Sequence, residues 1–225
     1  MSRQSSNTGQ TRAARRADRS GSGPTASDAP SDAPVARNPG ARSWFGLLGE
    51  VLLVGVLVAL VSLPIVTLPA ALAAGTRHLA RYARAQGSSL GLFWRDVRDA
   101  LWGGVGVGVV AVVLGFLIAF DVALAQSGVV PGGWLAAGVG VVLGAVLVVG
   151  LLTAAGAWRP RTGWWFALRA TPRRLVRDPV GALYLLATAA FAVVVTWQLI
   201  PLVVPALGCV ALAVHAVPER PRRRP

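Results

Sequence analysis

The chain has 225 residues, with 22 basic side chains against 9 acidic ones and a formal net charge of +13. Hydrophobic residues make up 54% and charged residues 14%, against the roughly 25% charge of an average soluble domain, so a soluble domain is excluded and a membrane class leads. All basic residues are Arg, which rules out lysine Schiff-base or P-loop chemistry, and the single Cys209 rules out an intrachain disulfide or a multi-cysteine zinc site.

Residues 1–42 are rich in Ser, Ala, Arg, Pro and Gly and contain no aromatic residue, Leu or Ile. Such a segment buries too little apolar area to offset its ordering entropy, so a disordered basic tail is expected. Ala71-Leu72-Ala73 resembles a signal-peptide cleavage site. The approach and the apolar span before it are both too long for a signal peptide, and no cleavage is expected.

The first apolar segment runs from Trp44 to about Ser62, long enough as a helix for a ~30 Å hydrocarbon core with flanking anchors. Pro64 and Pro69 follow. Each proline removes a donor and blocks the preceding turn, so a helix break is predicted between them. A helix restarts over 70–85, apolar at first and then carrying Arg77, Arg81 and Arg84. Segment three spans about 101–125 and segment four about 134–157, joined by an uncharged Gly- and Pro-containing turn. A basic stretch leads to Arg177. Asp178-Pro179 then gives an N-cap followed by proline at the first helical position, opening segment five. That segment ends near Pro201. Segment six, about 203–217, carries Pro205 near its start. Residues 219–225 form a basic tail.

Orientation follows from the arginines. The 77–98 stretch carries five and the 158–177 stretch six, whereas the 126–133 and 200–202 turns carry none. The positive-inside rule places the basic stretches and the C-terminus in the cytoplasm. The N-terminal tail is also basic, and it joins that side only if 69–85 crosses back. The expected fold is therefore all-α, a polytopic transmembrane bundle of six helical segments with both termini cytoplasmic, in a bacterial cytoplasmic membrane. Five spans plus a re-entrant 64–76 is the alternative.

The run from Gly49-Glu50-Val51-Leu52-Leu53 through Ser62-Leu63-Pro64-Ile65-Val66-Thr67-Leu68-Pro69-Ala70-Ala71-Leu72-Ala73-Ala74-Gly75, the block Phe93-Trp94-Arg95-Asp96-Val97-Arg98, and Asp178-Pro179 together resemble the YesL-like membrane proteins. The resemblance covers about residues 43–218. It implies a small multi-pass bacterial membrane protein associated with carbohydrate uptake and degradation, and it supplies no catalytic residues.

Glu50 lies about two turns into segment one, where a lone carboxylate is expensive. The hairpin arithmetic sets it against position 80, so Arg77 or Arg81 is its expected partner. A structural pair fixing the hairpin and a proton- or ion-coupling role are the two readings. Asp121, Gln198 and His215 sit near span ends and are read as interfacial or interhelical polar contacts. Gly104 and Gly108 in segment three, with Gly140 and Gly144 in segment four, are spaced for close helix packing, and the two faces are expected to meet. Trp44, Trp94, Trp102, Trp134, Trp158, Trp164, Trp165 and Trp197 lie near span ends or in basic stretches and read as an interfacial belt. The 163–177 stretch reads as a surface-lying amphipathic helix interrupted by Pro172. Pro64-Pro69-Ala70 and Pro201-Pro205-Ala206 form a weak internal similarity.

No nucleophile–base pair, metal cluster or phosphate loop is legible, so neither an enzyme nor a cofactor is expected. The expected partners are a bilayer with anionic headgroups and a carbohydrate transport permease, which this chain would assist, assemble with or regulate. Nucleic acid is not expected. The alternative is a small homo-oligomeric transporter or channel with Pro64, Pro69, Pro201 and Pro205 breaking the helices that line its path.

Overall fold

The computed structural model describes residues 44–84, 86, 89–127 and 132–220. The tail expected to be disordered, and residues 221–225, lie outside the described residues. Among the described residues the secondary structure is helical throughout. The helices are α1 (Trp44–Val61), α2 (Leu68–Ala83), α3 (Leu90–Gln126), α4 (Gly133–Ala157), α5 (Gly163–Arg177), α6 (Pro179–Gln198) and α7 (Val203–Glu219).

The predicted break after α1 is a 3₁₀ turn over Ile65–Thr67. Thr67 Oγ1 closes it by donating to the carbonyls of Val61 and Pro64. Pro69 falls in the first turn of α2, where a missing N–H costs nothing. The second proline pair builds the same device, a 3₁₀ turn over Ile200–Leu202 between α6 and α7. At α6 the sequence signal is realised: the Asp178 side chain accepts from the Gly181 amide at 2.9 Å.

α3 begins eleven residues earlier than segment three was expected to, and it is not one straight rod. Trp102 (ψ 104°) and Gly103 (φ +90°) leave helical geometry. The 90–101 portion, with two arginines and two aspartates, is thereby set off from the largely apolar 104–126 portion. A positive φ of this size suits glycine, which has no Cβ to clash. The break also strands the Ala100 carbonyl, whose regular partner would be the Gly104 amide. The Trp164 indole N–H from α5 donates to it at 2.8 Å.

α3, α4 and α6 are long and apolar enough to cross a bilayer, while α1 and α7 are shorter apolar helices. Only 6%, 22% and 11% of the apolar windows of α3, α4 and α6 are buried. These surfaces therefore face outward, as lipid contact requires. α2 is the opposite case. It packs against α1, α3, α4 and α7, and Ala70, Ala71, Ala73 and Ala74 are fully buried. Small side chains let four neighbours approach one helix closely.

The glycine expectation is corrected. Gly104 meets Ala70 and Trp164, and Gly108 meets the Val66 carbonyl; neither meets Gly140 or Gly144. Those two do face α3, but at Ile118 and Val122. Another close approach, between α1 and α7, involves residues not singled out from the sequence, with Gly55 of α1 against the Val204 carbonyl and Gly208 of α7 against that of Val51. The spacing marks small faces correctly, but interhelix register decides what each face meets. Pro172 does not interrupt α5, which continues through it to Arg177.

Candidate functional site

The ion-paired groups gather at one end of the bundle. Four elements finish or begin there: the C-terminal ends of α2, α4 and α7, and the start of α6. Arg84 of α2 pairs with Glu219 of α7 at 2.8 Å. Arg220, just past α7, pairs with Asp178 at the start of α6. Arginines near helix C-termini also meet the negative end of the helix dipole.

Glu50 does reach α2, as the hairpin arithmetic required, but its partner is corrected. Its Oε1 lies 2.6 Å from His78 Nε2, and His78 is fully buried, edge-on to Phe93. Arg77 and Arg81 turn instead to Asp96 of α3. Arg81 Nη1 donates to Asp96 Oδ2 at 2.6 Å, and Arg77 Nε lies 3.2 Å from the same oxygen. His78 and Asp96 were both missed as site residues. Asp96 carried a signal, since Phe93, Asp96, Val97, Ala100 and Gly104 are all buried at the i, i+3, i+4, i+7 spacing of a helix's inner stripe.

His215 is drawn to the same end, with Nε2 3.7 Å from a Glu219 oxygen. Asp121 and Gln198 are exposed on α3 and α6 and make no ion pair or side-chain hydrogen bond among the described residues. The tryptophans divide. Trp94, Trp102, Trp134, Trp165 and Trp197 are exposed, as a belt requires. Trp158 and Trp164 are buried, their ring centroids 6.2 Å apart, and Arg77 sits over Trp158 at 5.7 Å. The side chain of Trp44 is not described.

The C-terminal ends of α2, α4 and α7, with Arg174 of α5, line an open cavity of about 280 Å³. Arg77, Arg81, Arg84, Arg159 and Arg174 line it, with Glu219 the one carboxylate among its lining residues. Arg159 is anchored by its Nη1, which donates to the Gly156 and Trp158 carbonyls at 3.1 and 2.8 Å. Burial, reinforced by the like charges of Arg77, Arg174 and Arg84, pushes the Arg159 guanidinium down from its ordinary range.

α5 lies beside this cavity. It exposes Trp165, Phe166 and Val176 together with Arg169, Arg173 and Arg177, and Arg169 stacks over Trp165 at 4.7 Å. An aromatic and guanidinium surface of this kind suits the headgroup region.

The architecture and its outward apolar faces define the class, an all-helical bundle with three helices long and apolar enough to cross a membrane and its ion pairs concentrated at one end. No family model matches the sequence, and neither a curated protein nor a solved structure matches it.

Proposed function

We propose that this chain is a six-helix protein of the bacterial cytoplasmic membrane with both termini cytoplasmic. It acts as a non-catalytic accessory, assembly or regulatory component of a carbohydrate transport system. The observation that carries the reading is the gathering of the arginines of α2, of the α4–α5 stretch and of Arg220 just past α7 at one end of the bundle. α1–α2, α3–α4 and α6–α7 then each leave that end and return to it, which agrees with the positive-inside rule for six crossings. The likeness of segments 49–75 and 93–98 and of Asp178-Pro179 to YesL-like proteins supports the carbohydrate association. The exposed arginine–aromatic face of α5 is the surface offered to a cytoplasmic partner.

The test is affinity purification from native membranes in mild detergent, with reconstitution of the pure protein in liposomes alongside. A sugar permease subunit should co-purify, and Arg169→Gln with Arg173→Gln should release it. The pure protein should move no sugar. Solute flux by the protein alone, with no permease recovered, would sink this reading. That result would favour a small homo-oligomeric transporter, a reading supported by the two matching helix, 3₁₀ turn, helix units around Pro64–Pro69 and Pro201–Pro205.

A further inference from the structure

The arginine-lined cavity is larger and more positive than a salt-bridge network needs. Five guanidiniums converge on it. Two carboxylates offset them, Glu219 through Arg84 and Asp96 through Arg77 and Arg81. Among the described residues, Arg174 has no carboxylate partner and Arg159 is held by the Gly156 and Trp158 backbone carbonyls rather than by a carboxylate. Among the described residues, Arg81 Nε and Nη2 are buried with no hydrogen-bond acceptor. Gathering like charges in a partly desolvated space is unfavourable unless a counter-charge enters it. Arg84 and Glu219, each about half exposed, leave an entrance.

We propose that this cavity is a binding site for a phosphate group. Arginine presents a planar fork of donors that matches phosphate oxygens bidentately. The excess of cationic over anionic groups favours a phosphate over a single carboxylate. A volume of about 280 Å³ lies just under the ~300–1,000 Å³ of sites for drug-sized ligands, so the site takes a phosphate or a headgroup rather than a nucleotide. The phosphate has two possible sources, an anionic lipid headgroup at the membrane face or a soluble phosphate from the aqueous side. The site does not depend on the accessory reading, because either a transporter or an accessory protein could use it.

The experiment uses the full chain in phosphatidylcholine nanodiscs, with thermal unfolding followed against inorganic phosphate at constant ionic strength. A parallel series replaces part of the phosphatidylcholine with phosphatidylglycerol. A saturable rise in Tm with inorganic phosphate identifies the soluble source. A rise with phosphatidylglycerol alone identifies the lipid source. In either case Arg174→Gln should weaken the effect at least tenfold and Arg174→Lys less, while Arg161→Gln, outside the cavity lining, leaves it unchanged. Arg174 is exposed on α5, so its replacement preserves the fold, and Arg159→Gln is the second variant. No stabilisation by either anion would overturn the proposal. So would an effect lost equally in Arg161→Gln, since that marks diffuse surface charge.

Discussion

A carboxylate at position 96 holds two guanidiniums, Arg77 and Arg81, across the α2–α3 interface. Removing one partner of a buried ion pair costs roughly 3–5 kcal/mol, because the remaining charge stays desolvated. Asp96→Asn should therefore destabilise the protein by about 3 kcal/mol, the low end of that range, since Arg77 is a quarter exposed. Asp121→Asn, on an exposed face, should change stability by less than about 0.5 kcal/mol. Unfolding midpoints in detergent measure both, and equal midpoints for the two variants would refute a structural role for Asp96. Glu50→Gln should lose about 1.5–3 kcal/mol, the worth of a hydrogen bond to a charged group, in the same assay. If it instead keeps its stability and loses a proton-dependent activity, the coupling reading of Glu50 stands. That Glu50 needs a partner on α2 was legible from its depth in the apolar segment. Which of Arg77, His78 and Arg81 met it was not, because a 100° step separates neighbouring side chains on a helix, and helix rotation alone selects among them.

At the scale of elements, the helix ends written into local chemistry were legible. These were the proline-flanked turns, the Asp178 cap and the end of α3 and start of α4 at Gln126 and Gly133. The break in α3 was not, because a glycine inside an apolar run looks the same whether it lies in a helix or at a kink. Gly103 has φ +90°, which costs an L-residue roughly 1–2 kcal/mol. Gly103→Ala should lose about that much. Trp164→Phe keeps an aromatic side chain but removes the indole N–H and strands the Ala100 carbonyl, which should cost about 1–3 kcal/mol. Both changes act on one kink, so the double variant should cost less than the sum of the singles. A double-mutant cycle in thermal unfolding reads this coupling, and strict additivity would count against it. The glycines of the packing faces separate in the same way. A methyl at Gly108 would collide with the Val66 carbonyl, whereas one at Gly138 meets nothing within 4 Å. Gly108→Ala should cost about 1–3 kcal/mol by overpacking. Gly138→Ala should be neutral or gain up to about 1 kcal/mol of helix propensity. A reversed order in the unfolding assay would contradict the interhelix register.

For the whole molecule, the arginine-bearing end and the opposite turns make topology measurable. Cys209 is exposed, so labelling starts from a Cys209→Ser background. A cysteine at Ser127 or Leu63 should react with an impermeant maleimide in intact cells, and one at Thr162 only after permeabilisation. Protection of the Leu63 position alone would mean that the α1–α2 hairpin enters the bilayer without crossing it. Reaction at Thr162 in intact cells would reverse the orientation. The central place of α2 belongs to this scale as well. In sequence it is the least apolar of the segments read as spans, with three arginines in its second half. In the bundle its alanine run is buried on every side, and its arginines face carboxylates from α3 and α7.

The sequence by itself determined the solvent, the positions of the apolar helices and the one-sided distribution of arginine. Each of these is a property of contiguous residues, summed over windows of about twenty positions or less, and needs no knowledge of what lies across an interface. The tertiary structure alone decided the pairing of Glu50 with His78 and of Asp96 with two arginines. It also decided the seating of Gly108 on Val66, the burial of Trp158 and Trp164, and the convergence of five guanidiniums on one cavity. Those outcomes depend on the rotation and axial register of helices far apart in the chain. A rotation of 100° about one axis, or a shift of one turn, changes every partner while leaving composition and periodicity untouched.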